Sequence, residues 1–254
     1  MYDASARSAP MSWPEFLQRV GQVFLDLAQH ARFADAYPMC ASMKTALTKA
    51  LRADDDAIEH AVTGFYAALH AADAGYTDEE LVELKSMRGY GCHAGGLTPI
   101  HHAGAFISPG TVSADYGAGN GLQGLLLQAV YPHRRTVQIE ISGGMIQRGR
   151  RLQSMMGIAD ERVHWLRANI AEVPPDGFDF IYMYLPCRPE GEGEAFYRDF
   201  SRRLTESGRN VMVFSVADCL KRYADSSWKA VHDDGHLACF IVNGDCRFRS
   251  SSPV

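Results

Sequence analysis

Residues 115–124 read Asp115-Tyr116-Gly117-Ala118-Gly119-Asn120-Gly121-Leu122-Gln123-Gly124. The stretch carries two overlapping glycine patterns. From Gly119 it is G-x-G-x-x-G, the spacing of a dinucleotide-binding turn; from Asp115 it is an acid followed by three alternating glycines. The residues upstream separate the two. A dinucleotide turn follows the apolar end of a buried strand, and with Gly119 as its first glycine that strand would have to end in Asp115-Tyr116-Gly117-Ala118. In the other frame the strand is Thr111–Tyr116, the acid sits at its carboxyl end, and the glycines let a ligand approach the backbone above a helix N-terminus. The acidic frame fits better.

Downstream the pattern alternates. Leu122 to Val130 reads as a helix, Thr136 to Ile141 as a strand and Met145 to Met156 as a helix. Val163 to Arg167, Phe178 to Tyr184 and Asn210 to Val216 read as further strands, with a helix from about Gly193 to Leu204. Strand–helix alternation predicts a parallel sheet with right-handed crossovers. The stretch 226–244 breaks the alternation, because two apolar segments separated by Asp233-Asp234-Gly235-His236 read as an antiparallel hairpin.

Upstream, residues to about Arg88 read as helices. Ser12 and Glu15 form a capping box with Pro14 in the first turn, and Phe16, Leu17, Val20, Phe24 and Leu27 recur at helical spacing. A second helix follows Pro38. A third runs from Asp54-Asp55-Asp56 through Ile58, Val62, Phe65 and Leu69, and Thr77 with Glu80 caps a fourth. Gly89 to Gly110 has no sustained period and reads as a long loop, of the kind that usually carries function. The predicted architecture is an α/β Rossmann-like three-layer sandwich. It has a mostly parallel seven-stranded sheet with an antiparallel C-terminal hairpin, preceded by a helical N-terminal cap over 1–90, with the ligand-binding domain over 91–254.

In this frame residues 98–244 resemble the class I S-adenosylmethionine-dependent methyltransferases, whose first motif is an acid plus G-x-G-x-G. The resemblance implies S-adenosyl-L-methionine as cofactor, with S-adenosyl-L-homocysteine as product. It implies Asp115 and the backbone of Gly117, Ala118, Gly119, Asn120 and Gly121 at the methionine end, and Glu140, ending strand two, on the ribose hydroxyls. Ile141 would pack on the adenine, with Asn169 and Ile170 at its edge. A Thr-Pro before the first strand resembles a segment that several families, DNA methyltransferases among them, fold over the methionine end, so Thr98 and Pro99 are candidate contacts. The helical N-terminal region and the Tyr-Gly loop also resemble the non-SET histone-lysine methyltransferases.

The acceptor side is less legible. Methyl transfer needs alignment and exclusion of water, no metal, and a base only when the acceptor arrives protonated. Tyr184, in Tyr184-Leu185-Pro186-Cys187 after strand four, lines the methyl donor or is a packed aromatic; this segment lacks the leading Asn or Asp of amino-methylating enzymes. His101 and His102 are candidate bases, or with Cys92 and His93 metal ligands, or surface histidines. The spacing matches no common metal cluster, so no metal is expected.

The expected acceptor is a small molecule under a helical lid, with protein lysine as the alternative. A non-catalytic S-adenosylmethionine binder and an NAD-dependent oxidoreductase are the other readings. A net charge of −5 gives no general attraction to nucleic acid. The six cysteines lack a C-x-x-C pair, and there is neither a signal-peptide pattern nor an apolar run of spanning length; the expectation is a cytoplasmic protein away from membranes.

Overall fold

The structure is a computed structural model and describes residues 11–244 except 74, 87, 92 and 218. Five helices lead: α1 (Trp13–Leu27), α2 (Phe33–Ala36), α3 (Pro38–Ala50), α4 (Asp55–Ala72) and α5 (Asp78–Ser86). The capping signals form as read. Ser12 N–H donates to Glu15 at 2.9 Å while Glu15 N–H donates to the Ser12 hydroxyl, and Thr77 with Glu80 repeats the box at α5.

A short helix α6 (Thr98–Ala103) lies inside the stretch read as a loop. Six residues are too few to show a period. Pro99 in its first turn and the burial of Ile100 and Ala103 make it a helix by tertiary packing. Then follow β1 (Val112–Tyr116), α7 (Leu122–Val130), β2 (Arg135–Glu140), α8 (Gly143–Met155), β3 (Val163–Arg167), β4 (Phe180–Tyr184), α9 (Glu192–Glu206), β5 (Val211–Val216), β6 (Lys229–Asp233) and β7 (Leu237–Val242).

The sheet order is β3-β2-β1-β4-β5-β7-β6, with β7 antiparallel to both β5 and β6 and every other pairing parallel. This is the Rossmann-like sandwich with its C-terminal hairpin. The order reverses between β1 and β4, so a crevice opens there beyond the strand ends, where open α/β sheets take their ligands.

Strand residues alternate between two cores. Phe180, Tyr182, Met212 and Phe214 face one with α7 and α8, while Ile181, Met183, Val211 and Val213 face the other with α9. The N-terminal helices share the first core: Phe16, Phe24 and Phe65 are continuous with Leu125 and Val130 of α7. Glu80 ties them further. Its carboxylate accepts from the Ser142 hydroxyl and, at 3.1 Å, from Gly144 N–H, so the residue that caps α5 also caps α8. Buried Cys40, Cys187, Cys219 and Cys239 are free thiols; Cys246 lies outside the described residues.

Helix α8 approaches β3 closely because residue 149 has no side chain. A Cβ there would stand 2.0 Å from the Trp165 ring and 2.8 Å from the Asn120 carbonyl. In an exposed helix Gly→Ala stabilises by roughly 1 kcal/mol. Gly149→Ala should do the reverse, destabilising by about 1–3 kcal/mol through overpacking. Urea unfolding checks this, and an unchanged or higher midpoint would refute the packing account.

Candidate functional site

The crevice is a cavity of about 1130 Å³, open water at its mouth included. One wall is built from the turn after β1. Gly117 and Ala118 N–H both donate to the Ile139 carbonyl of β2 at 3.0 and 2.9 Å, and Gly119 N–H donates to Glu140 Oε2 at 2.8 Å. The other oxygen of Glu140 accepts from Ser142 N–H at 2.9 Å. The carboxylate is thus fixed by the turn it helps to fix. Gly117 is required twice, by φ of +82° and because a Cβ would lie 2.9 Å from Pro186. Across the cavity, the β4 exit turns through Leu185 at φ +36°, unusual for a branched side chain, and brings Pro186 against that glycine.

Asp115 and Glu140 are both buried, at 4% exposure. Burial pushes Asp115 up to about 7; the Glu140 charge adds to this and the Gly124 amide opposes it. Burial also raises Glu140, against the pull of the Ser142, Gly119 and Ile141 amides. Among the described residues no lysine or arginine lines the cavity. Two buried carboxylates without a basic partner favour a ligand that brings positive charge or hydroxyl donors, and disfavour a pyrophosphate.

Among the described residues three polar side-chain atoms are buried without a partner: Asn120 Nδ2, Gln123 Oε1 and Gln138 Oε1. The first two belong to residues lining the cavity. Asn120 Oδ1 accepts from Leu122 N–H, and Gln123 Nε2 donates to the Gly96 carbonyl at 3.0 Å and the Tyr182 hydroxyl at 3.2 Å. An orphaned donor and an orphaned acceptor beside Asp115 suit a group carrying both a carboxylate and an ammonium.

At the far end Ile141, Ala168, Asn169 and Ile170 line the cavity. Asn169 Oδ1 accepts from Ala171 N–H at 3.0 Å, holding the 3-10 turn Ile170–Glu172 in place. The structure therefore brings Asp115, Gly117, Ala118, Asn120, Glu140, Ile141, Asn169, Ile170 and Tyr184 to one cavity, with Gly119 and Gly121 in the backbone behind it.

Thr98, Pro99, His101 and His102 are not brought to that lining. Thr98 opens α6 and Pro99 lines a separate small pocket. His101 Nε2 bonds the Met11 carbonyl at 2.7 Å, its ring packed on Trp13 and Phe16, and His102 stacks with His232 at 4.4 Å. Helical phase explains this: once residues 98–103 coil, the two histidines turn toward α1 and the terminal hairpin. Cys92 lies outside the described residues, and among those described no cluster of three or more His, Cys, Asp or Glu is placed to hold a metal.

The cap supplies residues that sequence reasoning missed. Tyr66 and His70 of α4, Tyr76 and Leu84 around α5, and Tyr90 and His93 of the following loop all line the cavity. That loop is held over the site by Tyr90 N–H donating to the Pro186 carbonyl and Arg188 N–H to the Arg88 carbonyl. Tyr66 and His70 stand one turn apart beside the stripe Ile58, Val62, Phe65, Leu69, so their period is that of a core face.

The family described as a methyltransferase domain matches residues 114–208. No curated protein matches the chain. Solved structures similar to it include TrmN from Thermus thermophilus, 21% identical over 52% of this chain at a TM-score of 0.39; the chain spans 43% of that protein's length. An RNA methyltransferase from Salinibacter ruber, in complex with S-adenosyl-L-homocysteine, is 19% identical over 66% of this chain and 92% of its own, with a TM-score of 0.42. A methyltransferase from Geobacter sulfurreducens is 13% identical over 65% of this chain and 86% of its own, with a TM-score of 0.44. No helix among the described residues is long and apolar enough to cross a membrane.

The raised Asp115 has a consequence for stability. Its folded-state value of about 7 lies above the roughly 3.9 of an unfolded chain, so the native state binds the proton more tightly. Stability from this group is full below pH ~4 and is lost as pH climbs through 7. Asp115→Asn should raise the Tm of the unliganded protein at pH 8 by about 4 °C or more, equivalent to ~1–2 kcal/mol in a domain of this size, and by less at pH 5. An equal difference at both pH values would refute the burial argument.

Proposed function

We propose that the chain, whose residues 114–208 match the methyltransferase-domain family, is an S-adenosyl-L-methionine-dependent methyltransferase acting on a small-molecule acceptor beneath the N-terminal helices. The observation that carries the cofactor reading is the pair of buried carboxylates, Asp115 of β1 and Glu140 of β2, flanking the glycine turn in a cavity that no lysine or arginine lines among the described residues. Glu140 offers its remaining lone pairs to two neighbouring ribose hydroxyls, which makes paired charge-assisted hydrogen bonds. Asp115 faces the methionyl ammonium with Gln123 Oε1 as a second acceptor, and Asn120 Nδ2 donates to the methionyl carboxylate. Ile141 and Ile170 sandwich the adenine, and Asn169 meets its edge.

When bound, S-adenosylmethionine supplies a methyl carbon on a sulfonium. What the protein adds is alignment of the acceptor and exclusion of water. The segment Tyr184-Leu185-Pro186, the loop from Gly89 to His93 and helix α4 surround the remaining volume. The cap, proposed as residues 1–90, is in this reading the roof of the acceptor site. A roof over the remaining volume favours a compact acceptor that it can enclose. The acidic lining also speaks against NAD.

Calorimetry tests this directly. S-adenosyl-L-homocysteine should bind and NAD should give no heat; the reverse would remove the proposal. Glu140→Gln, which keeps the side chain's size, should weaken S-adenosyl-L-homocysteine by roughly 10–100-fold, the worth of one or two hydrogen bonds to a charged group at ~1.5–3 kcal/mol each. Unchanged affinity in a variant that melts normally would refute the ribose assignment.

A further inference from the structure

The part of the cavity left to the acceptor is walled by rings. Tyr66 and His70 come from α4, Tyr90 and His93 from the loop after α5, Tyr184 from β4 and Phe196 from α9. The rings of Tyr90 and Tyr184 stand 6.3 and 6.2 Å from that of His93. The charged side chains of the lining are Asp115 and Glu140, engaged at the other end, and Glu192, exposed at the rim. Such a wall offers a flat, uncharged molecule stacking and edge contacts worth about 0.5–1.5 kcal/mol per ring pair; among the described residues no lysine or arginine lines it, the Arg188 guanidinium lying over the Tyr90 ring at 5.5 Å from its centroid.

Among these rings His70 is 7% exposed. Burial holds its imidazole below the ordinary histidine range, with the His93 charge acting the same way and Asp73, one turn along α4, opposing. Asp73 is itself engaged by the Tyr37 hydroxyl and by Arg151 of α8 at 4.0 Å. At neutral pH His70 is therefore an uncharged imidazole in the wall of the acceptor site. A neutral imidazole is matched to the proton of an aromatic hydroxyl, with its pKa near ~10, and poorly matched to an aliphatic hydroxyl, close to water at ~16.

We infer that the acceptor is a neutral aromatic ring bearing a hydroxyl, held among the tyrosines, and that His70 takes the hydroxyl proton as the methyl is transferred. The inference rests on the methyltransferase reading. The acceptor oxygen forms a bond to the methyl carbon and the carbon–sulfur bond breaks with its electron pair on sulfur. The hydroxyl proton passes to a ring nitrogen of His70, which returns it to water once product leaves. Without the base, nucleophilic attack would come from a neutral hydroxyl, a loss of roughly 10²–10⁴-fold.

The probe is 2-naphthol, which becomes a strong acid on excitation and emits as the naphtholate when a base is in hydrogen-bond contact. Titrated into protein saturated with S-adenosyl-L-homocysteine at pH 7.5, it should bind saturably with naphtholate emission. Phenol should displace it and benzoate should not. In His70→Gln the bound probe should emit as neutral naphthol with its affinity changed less than about threefold, and in wild-type protein the naphtholate emission should fall as pH drops and His70 is protonated. Saturable S-adenosyl-L-homocysteine binding without 2-naphthol binding, or displacement by benzoate, would overturn the acceptor class. Naphtholate emission that survives His70→Gln, or that is flat from pH 8 to 5, would overturn the base. Absence of S-adenosyl-L-homocysteine heat would instead sink the underlying reading.

Discussion

The site depends on one carboxylate doing two jobs. Glu140 ends β2 and accepts from Gly119 on one oxygen and from Ser142 on the other. A buried carboxylate with two amide donors is stabilised where a bare one would not be. The glycine turn, which has no side chains to hold it, takes its shape from the strand beside it. Gly117 and Ala118 bond the Ile139 carbonyl next door, so turn, strand end and the start of α8 form one rigid corner. A ligand entering it meets preset backbone rather than a loop that must be ordered first.

The corner is expensive to maintain, and the rest of the fold absorbs that cost. Asp115 and Glu140 are two acids facing one cavity, each raised by burial, with the Glu140 charge raising Asp115 further. Such repulsion persists because the surrounding sheet is fixed by two apolar cores. The unpartnered buried atoms of Asn120 and Gln123 belong to residues lining the same cavity, and each adds an unsatisfied polar group to the corner.

How far the sequence revealed this follows from where each signal lives. The sheet was legible because β1, β2, β4 and β5 are short apolar runs bounded by glycines and helical periods, and the terminal hairpin because its apolar segments flank Asp233-Asp234-Gly235-His236. The acid-and-glycine corner was legible because its chemistry is local, spanning Asp115 to Gly121 with Glu140 at the end of the next strand. Helix α6 was not: six residues carry no period, and burial of Ile100 against α7 decides their state. Its formation turns His101 and His102 away from the cavity, so the failure to foresee one short helix misdirected both histidines. Tyr66 and His70 were hidden for a different reason. On a helix with Val62, Phe65 and Leu69 their spacing is that of any buried face, and only the tertiary arrangement says that this face meets a cavity rather than a core.

That arrangement is held by the same polar bridges that join cap to sandwich. The Tyr66 hydroxyl accepts from Gly96 N–H, the Gly96 carbonyl accepts from Gln123, and Gln123 donates also to the hydroxyl of Tyr182. This chain of bonds runs from α4 through the loop to the first turn of α7 and on to β4, and it crosses the cavity wall between the cofactor corner and the ringed half. Glu80 makes a second crossing at the start of α8. Both crossings pass through a helix N-terminus, that of α7 at Gln123 and that of α8 at Gly144. The N-terminal helices therefore do more than line the cavity, because the elements that place their rings are bonded to those that shape the glycine-turn corner. Displacing one would unpair buried donors and acceptors on the other, at about 1–3 kcal/mol for each group left unsatisfied. The two halves of the cavity are in this way fixed relative to each other, which is what the proposed direct transfer between a donor and an acceptor would require.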